Sequence, residues 1–256
     1  MTPIILADNA FLDGTPTATD TAAGYDVLNI RDLKAFTAWK AASLGTKYLT
    51  VDRGSAKAAD ALAIYRHNLG TAAAQVSVES SSTGAWGGEQ VVRLAAFTPG
   101  DDKALLKSFS SASARYWRLK IVTAAIAPQV AEAMIGARIT FPYPPTTPYR
   151  PVSEKIEADS TRSKTGELLG TVVRHKPYRI SPRWKDLPRS WFESTITPFW
   201  EAWASNLKPF FWAWDLDTYP LDVRFVKVTD DYSFEPSLSI LSTVAEFGLD
   251  LEGVKE

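Results

Sequence analysis

Short runs in which apolar and polar residues alternate recur through the first half of the chain. Tyr48-Leu49-Thr50-Val51 precedes the turn residues Asp52-Arg53-Gly54, and Ala61-Leu62-Ala63-Ile64-Tyr65 precedes His67-Asn68-Leu69-Gly70. Gln75 to Glu79 alternates before a Ser/Thr/Gly stretch, Tyr116 to Val122 alternates again, and Ala137 to Phe141 closes the series. Alternation with a period of two puts one face of each strand in a core and the other in water. Regular short strands between polar turns predict a β-sandwich or jelly roll.

The pattern then breaks at residues 141–151, where Pro142, Pro144, Pro145, Pro148 and Pro151 fall close together. Proline fixes φ and lacks a backbone donor, so this stretch predicts a stiff connector and not a strand or helix interior. The chain is accordingly expected to form a domain over 1–141, a linker over 142–151 and a domain over 152–256. In the second half Thr171 to Ile180 reads as one strand, and Asp186-Leu187-Pro188 as a helix start. Phe192, Ile196, Phe199 and Trp203 follow helical spacing, with Pro198 expected to kink the helix. Phe210 to Trp214, Asp222 to Val228 and Ser242 to Leu251 supply further strands. The polar, charged segment 153–170 reads as an extended arm or long hairpin.

Composition narrows the chemistry. The 256 residues include no Cys and two His, which excludes disulfides, thiolate metal sites, thiol nucleophiles and three-His metal centres. Catalysis would have to rest on carboxylates. The pairs Asp101-Asp102, Asp215/Asp217 and Asp230-Asp231 sit in turn-forming surroundings where carboxylates cap or are solvated. We expect no enzyme activity, no cofactor and no metal. No apolar run reaches the ~20 residues of a membrane span. The N-terminal residues lack the basic and long apolar regions of a secretory signal, so folding in the cytoplasm is expected.

The formal net charge of −1 conceals an asymmetry. Residues 150–190 carry ten Lys/Arg and five Asp/Glu, a balance of +5, whereas residues 215–256 carry three and ten, a balance of −7. Neighbouring strands of one subunit could pair these charges, or complementary faces of two subunits could. Six of the nine tryptophans, Trp184, Trp191, Trp200, Trp203, Trp212 and Trp214, lie in one stretch. Most are expected in a core and some at a subunit interface, where aromatic residues are enriched.

In order, Trp39, YLTVDRG at 48–54, LAIYRHN at 62–68, VSVESSSTGAW at 76–86 and ARYWRLKI at 114–121 resemble the landmarks of the discoidin (coagulation-factor C-type) galactose-binding-like jelly roll. The resemblance covers roughly residues 25–141 and implies a ligand held by variable loops. His67, at a strand end beside Asn68, would either act on a ligand, by polarising it or by binding a metal, or fix a loop by a hydrogen bond. Trp86 and Trp117 would stack on a sugar or pack the sandwich. Trp86 and His67 are the candidate glycan contacts.

The second half is similar to the tail-tube-like domain of distal tail and baseplate proteins of long-tailed bacteriophages. The resemblance is carried by Thr165-Gly166, GTVVRHKPYRI at 170–180, Trp184, FWEAW at 199–203, KPFFW at 208–212 and DVRFV at 222–226. It implies a mainly β protein: a jelly roll followed by a tail-tube-like β-barrel or sandwich with one packed helix. It also implies a structural virion subunit of the tail tip, assembled in the host cytoplasm. Expected partners are further copies in a ring (a hexamer before a trimer), the tail tube, hub and tape-measure proteins, and host-surface glycans. DNA would be passing cargo only, and no membrane anchor is expected. Trp191, Trp200, Trp203, Trp212, Trp214, Arg174 and Arg179 are the candidate interface residues. The alternative is a lectin-like adhesion module recognising host-surface glycans.

Overall fold

The computed structural model describes residues 2–238 and 243–254, which form two compact units. One comprises residues up to 141 together with 211–224, and the other residues 142–210 with those from 225 onward. One boundary between the units falls between Phe141 and Pro142. The return of 211–224 to the first unit is not in the sequence reading. Ile4–Leu6 pairs antiparallel with Ile139–Thr140 on one side and on the other with 211–213, in the register Ile4↔Ala213, Ile5↔Trp212, Leu6↔Phe211.

The first unit is a β-sandwich of the jelly-roll type. Its main strands are β1 (Gly45–His67), β2 (Gln75–Ser81), β3 (Val91–Phe97), β4 (Leu105–Thr123) and β5 (Gln129–Gly136). The two runs expected as separate strands, 48–51 and 61–65, are halves of the single strand β1. The expected turn at Asp52-Arg53-Gly54 is a bend, with Gly54 at φ +74° where a side chain would strain the backbone.

β1 and β4 pair antiparallel on both sides of this bend, Gly45↔Thr123 to Asp52↔Tyr116 and then Lys57↔Ala114 to Ile64↔Leu105. One layer adds β2 and then β3 to the second half of β4. The other adds β5 to the second half of β1, then Trp39–Lys40. Between the layers lie Trp39, Leu49, Val51, Leu62, Ile64, Val76, Val78, Trp117, Leu119 and Ile121, all buried. These are the inward positions of the alternating runs, so period-two patterning built this core as expected.

The second unit is also mainly β, and its sheets are open among the described residues, so the barrel form of the expectation is not met. Tyr178–Ile180 pairs with Ser153–Glu154 and with Leu251–Gly253, which in turn pairs with 226–228. A separate hairpin joins β6 (Glu157–Arg162) to β7 (Leu168–His175). A third sheet sets β8 (Arg183–Pro188) against β9 (Val244–Gly248), with Ser237–Leu238 outside. The expected strand 171–180 is broken at Lys176-Pro177, because Pro177 cannot donate to a ladder. Likewise Pro188 ends β8, and the helical stretch begins at Arg189. The expected strand start at Ser242 lies outside the described residues.

Residues 189–202 form one helical stretch whose middle turn, Phe192–Ile196, is π-helical. Thr197 N–H bonds to the Phe192 carbonyl immediately before Pro198. The wider turn absorbs the disturbance of the missing proline donor that the sequence predicts as a kink. Phe192, Ile196 and Phe199 are buried, as their spacing requires. Phe192 stacks on Phe234 and meets Phe247 edge-on at 5.3 Å. No helix among the described residues is long and apolar enough to cross a membrane.

Candidate functional site

The register of the first layer sets three residues in a row on its outer face: Thr50 of β1 opposite Arg118 of β4, and Arg118 opposite Glu79 of β2. Their neighbours Trp117, Leu119 and Val78 point into the core, so the same alternation sets Arg118 and Glu79 on the opposite face, where the side chains over them leave both buried. Arg118 Nε donates to Glu79 Oε2 at 2.6 Å, and Lys120 Nζ lies 3.6 Å from Glu79 Oε1. The guanidinium lies between two rings, 4.1 Å from the Tyr48 centroid and 4.0 Å from that of Trp86. An arginine held flat between aromatic faces keeps its plane while its partners fix its edge.

Trp86 belongs to the loop between β2 and β3, which is fastened back on the sheet. Glu89 accepts from the Ser81 hydroxyl and from Thr83 N–H at 3.0 Å, and Ser81 Oγ accepts from Gly84 N–H at 2.7 Å. The Ser81 hydroxyl and the Thr83 N–H hold the Glu89 carboxyl down to about 2. Gly84, at φ +84°, lies against the Tyr116 ring, where a Cβ would come within 3.1 Å. Beside it Arg115 grips Asp52 through two 2.7 Å bonds and brings that carboxyl down to about 2. The result is a fixed face of partly exposed aromatic rings, Tyr48, Trp86 and Tyr116, interleaved with planar charged groups. Such a face offers flat apolar contact and directed hydrogen bonds to one ligand.

His67, paired in the sequence reading with Trp86, is not on this face. Its side chain is buried, Nε2 meets the Lys103 carbonyl at 2.9 Å, and Nδ1 accepts from Leu69 N–H at 3.1 Å. Burial lowers its pKa. It is the loop-fixing histidine of the two alternatives, and the glycan contact is corrected accordingly. Trp117 is core. Asp101 and Asp102 cap turns, accepting from Lys103 N–H and Thr71 N–H.

The candidate interface residues are dispersed. Trp212 is buried and packs edge-on against Phe141 in the first unit, so it is corrected to a core residue. Trp214, also in the first unit, stacks on Tyr219 and donates to Asp222. In the second unit Trp200 stacks on Phe234 at 4.5 Å, Trp203 donates to the Pro209 carbonyl, and Trp191 is partly buried. Arg179 pairs with Glu252, and Arg174 pairs with Asp159 across the β6–β7 hairpin.

Arg118, Tyr48 and Glu79 were missed. Alternation places Arg118 and Tyr116 on one face, but only strand register joins them to Glu79. A second missed group is Glu132 of β5, fully buried opposite Tyr65 and close to the backbone N–H groups of Leu33 and Lys34. Burial, followed by the neighbouring Asp32 carboxyl, pushes its pKa up to about 9. Asp32 also accepts from the Thr37 hydroxyl at 2.8 Å. Among the described residues no three His, Cys, Asp or Glu side chains cluster as a metal group.

No family model and no curated protein matches the chain. Among solved structures it is similar to chitosan-binding module 1 of a chitosanase/glucanase from Paenibacillus sp. IK-5, at 18% identity and a TM-score of 0.43, covering 50% of this chain and 97% of that one. It is also similar to a family 32 carbohydrate-binding module of NanJ from C. perfringens in complex with galactose. There the identity is 13% and the TM-score 0.43, over 54% of this chain and 99% of that one. The corresponding module of AlyQ, in complex with 4,5-unsaturated mannuronic acid, gives 24% and 0.40 over 47% and 92%. Likeness at this level leaves the ligand to be argued from the site itself.

Proposed function

We propose that this chain is a non-catalytic glycan-binding protein whose jelly-roll unit takes its ligand on the face built by Tyr48, Trp86, Tyr116 and Arg118. The observation that carries this reading is the stack of Trp86 and Tyr48 on an Arg118 already oriented by Glu79. A sugar ring presents a C–H face to an aromatic plane and hydroxyls to planar charged groups, and both are present here in fixed positions. Preorganisation of this kind lowers the ordering cost of binding.

Binding to a glycan array followed by calorimetry tests it. We expect saturable binding to a defined set of glycans, weakened about tenfold or more by Trp86→Ala, a loss of about 1.4 kcal/mol or more. Unchanged circular dichroism would show that the variant stays folded. Full affinity in Trp86→Ala, or no glycan bound by the parent protein, would sink the proposal.

A second reading, a ring-forming subunit of a phage tail tip, is favoured by one observation. The β6–β7 hairpin exposes Leu168, Leu169, Val172 and Val173, as a surface made for assembly would. Closed rings in electron micrographs of the concentrated protein, with no glycan binding, would favour it over the first.

A further inference from the structure

The β6–β7 hairpin forms a sheet of its own, and every residue of β7 is exposed. Leu168, Leu169, Val172 and Val173 are 58%, 65%, 68% and 49% exposed. An isolated two-stranded ribbon is marginal in water, and this one buries neither face within the chain. Its tip carries two cations with no ion-pair partner among the described residues, Arg162 and Lys164, and one such carboxylate, Glu167.

The same unit contains an open cleft of about 650 Å³. Its apolar floor includes Trp184 and Phe247, whose rings stack at 6.1 Å. Arg179 and Arg183 on its wall are already paired, with Glu252 and Asp250. What is left without an ion-pair partner among the described residues is Asp231, Glu235 and Glu246, together with Lys185. These unpaired groups, three carboxylates and one ammonium, make the cleft net negative, whereas two cations and one carboxylate make the tip net positive.

The tip does not reach its own cleft. Arg179, on the cleft wall, lies four residues beyond the hairpin's base at His175. The six residues of β6, paired along their length, hold the tip on the order of 20 Å from that base. A paired ribbon cannot fold back over so short a distance.

We propose that the hairpin tip of one copy docks into the cleft of a second copy of this chain. Arg162 and Lys164 meet Glu235, Glu246 and Asp231, Glu167 meets Lys185, and Leu168 and Leu169 cover the apolar floor. Tip and cleft are different surfaces, so the contact is head-to-tail and propagates into a ring or a filament. It is independent of which ligand the jelly roll takes.

Sedimentation velocity on the full chain between about 5 and 200 μM tests this, a range in which contacts of micromolar strength are visible. The parent protein should associate with concentration. Arg162→Glu/Lys164→Glu and Glu235→Lys/Glu246→Lys should each weaken association at least tenfold, with melting temperatures unchanged because all four side chains are exposed. Mixing the two variants should restore association, since each reversed surface then finds a complementary one. A parent protein that stays monomeric overturns the proposal. So does association that neither variant alters, or a mixture that fails to recover.

Discussion

The protein will lose stability as pH rises from about 7 to 9, and Glu132→Gln will abolish that loss; below 7 the His67 imidazole, whose pKa burial lowers, works in the opposite direction. Glu132 is fully buried, and its folded pKa, at about 9, lies above the ordinary 4.5. Between those values the folded chain holds one proton that the unfolded chain has released. Stability therefore falls with pH at roughly 1.4 kcal/mol per unit, is complete below the unfolded pKa and is lost on passing the folded one. Gln keeps the shape and cannot ionise. At pH 8 the variant should be several kcal/mol more stable than the parent, which for a chain of this size shifts Tm by ~5–15 °C. Parallel pH profiles for the two proteins would refute the assignment.

Arg53→Ala will be the most damaging single change in the jelly roll outside its apolar core. The Arg53 side chain is 1% exposed at the bend of β1, and its guanidinium donates in three directions. Nε bonds Asp13 at 2.5 Å, one terminal nitrogen reaches Asp8 at 2.9 Å, and the other reaches the Ala58 carbonyl at 3.2 Å. Asp8 in turn accepts from Ala137 N–H at 2.9 Å. One side chain thus ties the N-terminal segment to the bend and, through Asp8, to the end of β5. Removing it leaves Asp13 with Lys57 alone and Asp8 with the Ala137 N–H, and takes charged hydrogen bonds and packing from a buried site, at a cost of about 3 kcal/mol. Thermal melts should show a drop of ~6–12 °C. Arg53→Lys should recover only part of this, since an ammonium cannot span three acceptors fixed by a planar group. A Tm within 2 °C of the parent would count against this role.

The sequence is legible wherever a pattern is local. Alternation located the strands of the jelly roll and their inward positions. The buried helix positions Phe192, Ile196 and Phe199 followed from spacing alone. Illegible features depend on partners far along the chain. Phe211-Trp212-Ala213 carries no alternation because it is buried on both faces, and nothing near it announces pairing with Ile4–Leu6. The candidate face failed for the same reason: Glu79 and Arg118 are 39 residues apart and meet only through the β2–β4 register. Trp86 could be singled out by type. Its companions could not. His67 and Trp212 were over-read because a polar or aromatic side chain looks the same in sequence whether it faces solvent or a core.

β1 and β4 each run through both layers of the sandwich. Neither layer owns a complete set of strands, so one cannot detach, slide or melt while the other persists. Opening the jelly roll therefore means breaking both layers together, and amide protons in β1 and β4 should exchange as one slow class on the two sides of the bend. The loop carrying Trp86 crosses no such shared strand. It can change length and composition without loosening the scaffold, so the face it covers can vary while the fold holds still.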